Sequence, residues 1–259
     1  MATTCIRTSM TAPTAMITEN SAIEPVDGDC TAEQFDIARI LQFGDSMLPV
    51  GAFSFSGGLE SAIQQGVVTD ARTLREFVKT AVEQAATADG IGVIAAHRAA
   101  AAGQLEHVAY IDQTMFNRKL SDETRNMTTR MGKKLVELGA QVTRAAMLTA
   151  WLARIREGAT PGTYPAGLAV LFASLRLGER AVFIVHQYGV ASTILGASLR
   201  LLRVDHIDTQ KILFEINERA AAAYQGAAAA RLEDMAAYAP VYDILAAVHA
   251  RAQVRLFMN

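Results

Sequence analysis

The five histidines are the residues that would first suggest metal binding or acid–base chemistry in this chain. No two of them are separated by the roughly three to five residues that would place two ligands on one helix face. The sequence therefore predicts no metal site within one protomer, and it predicts no cofactor. The histidines are His97, His107, His186, His206 and His249.

A short acidic cluster around His206 is the one place where the sequence allows a surface nickel or zinc contact. Asp205, His206 and Asp208 stand together in a predicted loop between helices. Aspartates in such loops more often hydrogen-bond to the backbone of a turn, which leaves the histidine exposed. Glu215 and Glu218 have helical spacing, but so do many charges on solvated helix faces. We predict no catalytic residue, and we do not expect an enzyme.

The segment from Leu41 to Glu60, LQFGDSMLPVGAFSFSGGLE, is rich in the residues from which nucleotide-binding and catalytic loops are built. A phosphate-binding loop needs glycines followed by lysine and serine or threonine, and this segment has no lysine. A hydrolase nucleophile would be a serine with glycines two residues away on both sides, which neither Ser54 nor Ser56 has. We therefore predict that both serines cap helices or form turn hydrogen bonds.

The same segment has the composition of an ordered loop between two helices. Its glycines permit backbone angles that other residues avoid, and Pro49 fixes one backbone angle and removes a donor. Phe53 and Phe55 are large apolar side chains that we expect to be buried. The segment therefore predicts a structured loop with one buried side, suited to contacts with other molecules rather than to catalysis.

The C-terminal tail, about residues 244–259, is the second candidate for contacts with a partner. No acidic residue follows Asp243, and the chain closes with basic residues next to a leucine and a phenylalanine. Arginine and aromatic side chains supply much of the binding energy at protein interfaces, so the tail has the composition of a docking segment. A frayed terminus is the alternative explanation. The candidate docking residues are His249, Arg255, Leu256 and Phe257.

Composition narrows the function classes further. The chain has 259 residues, 51% of them hydrophobic, and a formal charge of −2, which gives no general attraction for nucleic acid or an acidic membrane. The two cysteines, Cys5 and Cys30, predict neither a disulfide framework nor a cysteine metal site, which fits a reducing cytosol. We expect no secretory signal, and we expect Arg176, Arg180, His186, Gln187 and Arg200 to interrupt any membrane span.

Apolar residues recur at helical spacing over most of the chain, and Asp70 with Thr73 predicts a capped helix start. We assign the run from Val182 to Val185 to a helix rather than a strand, because a helical stripe continues directly after it. The sequence predicts an all-α, single-domain bundle of about eight to ten helices over residues 33–259, with residues 1–32 as a disordered extension. Helix breaks are predicted at Gly66, Gly103, Gly139, 158–162 and Gly178.

Several motifs together resemble the urease accessory protein UreF family. The loop carries the family's succession of leucine, serine, proline, glycine, phenylalanine, serine, glycine, leucine and glutamate. Further matches run from about Phe35 to the C-terminus, and their combination is more specific than any one of them. They are Glu123, Arg125, Met131 and Gly132; Tyr164 with Pro165; Arg200, Leu201 and Leu202 with Gln210; and Asp243, His249, Arg255, Leu256 and Phe257.

The resemblance implies a cytoplasmic, all-α, dimer-forming scaffold that helps to install nickel in apo-urease and is not a catalyst. It implies binding to the accessory protein UreD (also called UreH), recruitment of the GTPase UreG with an effect on its GTP hydrolysis, and docking on urease. Glu123 and Arg125 match one family helix and join the partner-binding candidates. The expected loop surface comprises Ser46, Pro49, Gly51, Phe53, Ser54, Ser56 and Glu60, and the expected tail surface comprises His249, Arg255, Leu256 and Phe257.

The chain also departs from the family pattern. Family members commonly have Pro-Leu-Gly-Gln at Arg203–His206 and Arg-His-Glu at Val248–Ala250, and an aromatic residue where this chain has Gln253. These departures leave open a helical regulatory protein that binds a different partner. A small-molecule protein with a pocket lined by Arg180, His186 and Tyr188 is a further alternative.

Overall fold

The computed structural model describes residues 32–249 and 255–257. The predicted extension, residues 1–32, therefore lies outside the described residues except for Ala32, with which the first helix begins. Cys5, Cys30, Ala250 and Gln253 also lie outside them.

Eleven α-helices make up most of the described chain, and no strand occurs in it. Nine of the helices have eleven or more residues, so the predicted all-α architecture and number of helices are confirmed. Two 3₁₀ turns accompany them, at Ala52–Ser54 and Leu232–Asp234. The helices are α1 Ala32–Gly44, α2 Leu59–Gln64, α3 Ala71–Thr87, α4 Asp89–Ala101, α5 Leu105–Asn117, α6 Asp122–Thr143, α7 Ala146–Arg156, α8 Tyr164–Ser174, α9 Glu179–Leu201, α10 His206–Ala229 and α11 Pro240–His249.

Local sequence signals account for where several helices begin. The Thr73 N–H donates to Asp70 Oδ1 (2.8 Å) at the start of α3, which confirms the predicted cap. Pro165 lies in the first turn of α8, where a missing N–H costs nothing. The break predicted at Gly139 is wrong, because this glycine lies inside α6, where its lack of a side chain leaves room for Leu171 and Leu148.

Helix α9 is the central helix of the bundle. It packs against α3, α4, α8 and α10, and it contains the run from Val182 to Val185 that the sequence assigned to a helix. By length and composition alone α9 could cross a membrane, despite the polar residues along it, but 56% of its most apolar window is buried inside the fold. An apolar helix surrounded by other helices is what the core of a bundle requires.

Two hydrophobic clusters meet along α9. The larger one joins α4 to α8 with the N-terminal half of α9 and contains Trp151, Phe172 and Phe183. The smaller one joins α2 and α3 with the C-terminal half of α9, α10 and α11, and it also takes in Phe257. Because the smaller cluster combines α2 with α11 and Phe257, a segment from the N-terminal part of the described sequence lies against its C-terminal residues.

The mid-chain break at residues 158–162 is held firmly to the bundle by one buried carboxylate. Asp112 of α5 accepts hydrogen bonds from the Gly162 and Thr163 N–H groups (2.7 and 2.9 Å). It also accepts them from the hydroxyls of Thr160 and Thr163 (2.5 Å each). A buried carboxylate is stable only when its oxygens are fully paired, and these four donors satisfy that need.

Candidate partner-docking surface

The loop between α1 and α2 is ordered by glycine conformations and short hydrogen bonds. Gly51, Gly57 and Gly58 have positive φ angles of 88°, 58° and 80°, a region that side chains other than glycine rarely adopt. The Ser54 hydroxyl donates to Gly51 O (2.8 Å), and the Glu60 N–H donates to the Ser56 hydroxyl (3.4 Å). The predicted turn and capping roles of both serines are therefore confirmed.

The two phenylalanines of the loop point in opposite directions. Phe55 is buried, with 4% of its surface exposed, whereas Phe53 is 75% exposed. The expectation that both would be buried is wrong for Phe53, because the 3₁₀ turn Ala52–Ser54 places it on the outer side. Ser46 and Pro49 are exposed as well. The loop thus offers one large aromatic side chain to the solvent.

Glu60, in the first turn of α2, is the residue on which the tail is fixed. Its carboxylate accepts hydrogen bonds from the N–H groups of Leu256 (2.7 Å) and Phe257 (3.0 Å), and it lies 3.0 Å from His249 Nε2. Burial by itself raises the pKa of Glu60, but the hydrogen bonds from Leu256, His249 and Phe257 outweigh it and lower the pKa below the ordinary glutamate value. Glu60 is therefore ionised at neutral pH.

His249 connects Glu60 to a second carboxylate. The imidazole is fully buried, and its Nδ1 lies 3.1 Å from Glu123 Oε2. Arg255 in turn donates to Glu123 Oε1 (2.7 Å). Each imidazole nitrogen therefore faces a carboxylate oxygen, one of Glu60 and one of Glu123. We call Glu60, Glu123, His249 and Arg255 the Glu60 cluster.

Arg200 of α9 joins the loop to the tail directly. Its Nη2 donates to the Phe53 carbonyl (2.9 Å), and its guanidinium lies 4.2 Å from the centroid of the Phe257 ring. A guanidinium over an aromatic face is a favourable cation–π arrangement. The sequence marked Arg200 only as part of the Arg-Leu-Leu motif and assigned it no role. Its partners are 147 and 57 residues away in sequence, so no local pattern could have identified them.

The structure therefore brings the expected loop and tail surfaces together into one composite surface. Leu256 is 63% exposed, whereas Phe257 is buried, with 4% of its surface exposed, and it anchors the tail within this chain. The expectation that both tail residues would be free to contact a partner is wrong for Phe257. Arg125 lies apart from the Glu60 cluster contacts, with its guanidinium 5.4 Å from the Phe116 ring and 3.7 Å from Asp122.

The acidic cluster at the start of α10 forms a helix cap. The Asp208 N–H donates to Asp205 Oδ1 (2.8 Å), and the Asp205 N–H donates to Asp208 Oδ2 (3.4 Å), which leaves His206 exposed. Within the described ranges, no three histidine, cysteine, aspartate or glutamate side chains are grouped as a metal site would require. The segment Arg203–His206, where the chain differs from the UreF family pattern, thus lies at the start of α10. The second differing segment, Val248–Ala250, still has the family's histidine, His249, which contacts Glu60.

The sequence matches a known protein family and is similar to individual known proteins. The UreF family model matches residues 68–217. The chain is 52% identical over 251 residues to "Urease accessory protein UreF 2" of Brucella canis, covering 96% of this chain and all of that protein. It is 52% identical over 224 residues to "Urease accessory protein UreF" of Yersinia enterocolitica, covering 86% of this chain and 98% of that protein. The chain therefore belongs to the UreF family of urease accessory proteins.

Proposed function

We propose that this chain is a non-catalytic scaffold for nickel insertion into apo-urease in the cytoplasm. In this role a single domain, residues 33–259, binds a UreD/UreH-type accessory protein and the GTPase UreG, modulates GTP hydrolysis by UreG, and works as a homodimer. Membership of the UreF family supports a role in urease maturation, and the names of the relatives describe urease accessory proteins. The partners follow from the family resemblance of the loop and the tail.

The observation that carries the proposal is the meeting of the loop and the tail at the Glu60 cluster. Phe53 and Leu256 are exposed apolar side chains, and Arg200 links their backbones by binding the Phe53 carbonyl and stacking on Phe257, the residue after Leu256. Exposed aromatic and aliphatic side chains with a polar surround are typical of protein interfaces. In this proposal Phe53 and Leu256 enter pockets of the UreD/UreH-type partner, while Ser46 and Pro49 contact it at the edge.

The buried charges support the same proposal through the order they impose. The carboxylates of Glu60 and Glu123 are mostly buried and would cost free energy without partners, and His249 and Arg255 lie within hydrogen-bond distance of their oxygens. A surface that is ordered before binding loses less conformational entropy when a partner docks. We infer that the Glu60 cluster holds Leu256 in the position in which the partner meets it.

The test is urease maturation in cells that contain the urease subunits and the cognate accessory proteins but lack this chain. Restoring the wild-type chain should restore urease activity and bound nickel. Leu256→Asp should restore little of either, because a charge replaces an apolar contact, although the chain still folds. Phe214→Asp, which changes a similarly exposed aromatic residue on α10, is the matched control and should restore both.

Two results would overturn the proposal. Activity and nickel that are the same with and without the wild-type chain would remove the maturation role and direct the search to another partner. Full maturation with Leu256→Asp, at equal protein levels, would remove the tail from the docking surface while leaving the maturation role intact.

A further inference from the structure

A cavity of about 520 Å³ lies between the two hydrophobic clusters, beside α9. Helices α3, α6 and α9 form its walls, and the turn at Gly57 and Gly58 lies at one side. This volume is within the range of small-molecule pockets in proteins. Most of the wall is apolar, and it includes Ala81, Met127, Met131, Val190, Ile194 and Tyr242.

Small residues keep this space open. A Cβ atom added to Gly189, on the cavity side of α9, would meet no atom within 4 Å, whereas one added to Gly92 or Gly132 would collide with packed neighbours. Leu120 and Arg118 in its lining are exposed, so the space is a half-open pocket that a molecule can enter from the solvent. The sequence at Gly189, Ala81 and Ala85 leaves room for a guest.

The polar end of the cavity contains one ion pair and one further cation, Arg118, which donates to the Met235 carbonyl (2.5 Å). Asp89 and Lys119 form an ion pair there and are both mostly buried. Burial lowers the pKa of His186 to about 4, so its imidazole is neutral at physiological pH. A cationic guest would lose its hydration without finding an unpaired carboxylate, and this end therefore disfavours a positively charged molecule.

Tyr242 supplies an unused hydrogen-bond donor in the wall. Its ring stacks on Phe77, with centroids 4.9 Å apart, and its hydroxyl is buried without a hydrogen-bond partner among the described residues. Burial raises the pKa of Tyr242, so the hydroxyl keeps its proton. Buried polar groups nearly always have a partner, and an acceptor atom on a guest molecule would provide one.

The backbone after α10 forms a strap beside the cavity. The Ala236 N–H donates to Thr87 O (3.0 Å), and the Ala239 N–H donates to Gln84 Oε1 (2.7 Å), which holds Ala237 in the cavity wall. The sequence suggested a pocket lined by Arg180, His186 and Tyr188, and only His186 lines this one. The strap therefore partly encloses the cavity. No sequence motif predicted that these residues would lie beside it.

We propose that this cavity binds a largely apolar small molecule that carries no positive charge and whose hydrogen-bond acceptor pairs with the Tyr242 hydroxyl. The site is separate from the docking role, since it uses neither the Glu60 cluster nor the exposed side chains of Phe53 and Leu256. Apolar walls supply the driving force by removing the guest from water, and the hydrogen bond to the Tyr242 hydroxyl sets its orientation.

The test uses 6-propionyl-2-(dimethylamino)naphthalene, a neutral fluorescent probe with one carbonyl acceptor and an emission that shifts to the blue in apolar surroundings. The full chain should bind it saturably with one site per protomer. Gly189→Leu fills the cavity and should weaken binding at least tenfold. Gly196→Leu places the same side chain on the exposed face of the same helix, again with open space for its Cβ, and should leave binding unchanged.

A second variant tests the hydrogen bond. Tyr242→Phe removes only the hydroxyl and should weaken probe binding by about two- to tenfold, as expected for one hydrogen bond. Circular dichroism and thermal melting establish that each variant is folded. If Gly189→Leu does not fold, Ala85→Met fills the cavity from α3 in its place.

Probe binding that does not saturate in the wild-type chain would overturn the proposal. Equal affinity for wild type and for a folded cavity-filled variant would also overturn it, because the probe would then bind elsewhere. Unchanged affinity in Tyr242→Phe would refute the assigned role of the hydroxyl, and with it the proposed class of ligand.

Discussion

Asp112 and Glu60 are both buried carboxylates that hold a distant segment of the chain by its backbone N–H groups. They differ in what surrounds them. The four hydrogen bonds to Asp112 come from neutral donors in residues 160–163, none of which belongs to the loop or the tail. Glu60 pairs with a histidine and with residues beside the exposed Leu256. The same device thus fixes the scaffold at one place and presents a surface at the other.

The largest effect should come from breaking the Asp112 site. Asp112→Ala leaves four buried donors without an acceptor, and we expect unfolding to become easier by about 3–4 kcal/mol. Urea denaturation measures this change. Glu106→Ala, on the same helix, removes an exposed carboxylate paired with Arg154 and should change stability little. Equal losses for the two variants would show that Asp112 is not the anchor.

A smaller loss of stability and a larger loss of docking should follow from Glu60→Ala. The freed Leu256 N–H is only partly buried and can find water, whereas the Phe257 N–H stays buried without its acceptor, and we expect a cost of about 1–2 kcal/mol. Carboxypeptidase digestion, followed by mass spectrometry, should remove the C-terminal residues faster than in wild type. Glu76→Ala, an exposed glutamate on α3, is the control. An unchanged digestion rate in Glu60→Ala would mean that the tail is held by other contacts.

The pH dependence of stability sharpens the same contrast. The folded-state pKa of Glu60 is lowered, so its contribution is fully present above the unfolded glutamate pKa of about 4.3 and is lost as the pH falls through the folded value. The free energy of unfolding should therefore fall more steeply below about pH 4.3 in wild type than in Glu60→Gln. Urea titrations at several pH values between about 3 and 6 measure the difference. Parallel curves for the two proteins would contradict this role of Glu60.

The smallest effect on stability should come from Arg200→Lys, which keeps the charge but loses the planar group above Phe257. We expect a cost of about 0.5–1 kcal/mol, because the cation–π contact is at an exposed side chain. Affinity for the UreD/UreH-type partner should fall more than stability, since Arg200 positions Phe53 against the tail. Titration calorimetry compares the two quantities, and an unchanged affinity would leave Arg200 with a structural role alone.

Local physics made much of the fold predictable from the sequence. Helical periodicity identified the all-α class, the Asp70–Thr73 pair identified the start of α3, and glycine content identified an ordered loop. These signals depend on residues within one or two turns of each other. The resemblance to the UreF family added residues to the proposed docking surface, including Glu60 and His249, because it rests on motifs rather than on periodicity.

Contacts between residues that are distant in sequence could not be predicted from the sequence. Glu60 and His249 are 189 residues apart, and nothing local to either residue indicates that they touch. Asp112 lies in α5, and no sequence motif around it predicts that its carboxylate accepts four hydrogen bonds from residues 160–163. The sequence also could not predict that Phe55 is buried and Phe53 exposed, because this depends on the backbone path of the 3₁₀ turn Ala52–Ser54. The cavity could not be predicted from the sequence, because it exists only where small residues that are distant in sequence face each other in the fold.

The central claim is that the loop and the tail form one docking surface, and affinity for the UreD/UreH-type partner tests it most directly. Titration calorimetry would compare wild type with Phe53→Asp, Leu256→Asp and the control Phe214→Asp, all shown to be folded. We predict that both Phe53→Asp and Leu256→Asp lose at least tenfold in affinity for the same partner and that the control binds like wild type. Loss in Leu256→Asp with unchanged affinity in Phe53→Asp would contradict the claim and separate the two surfaces.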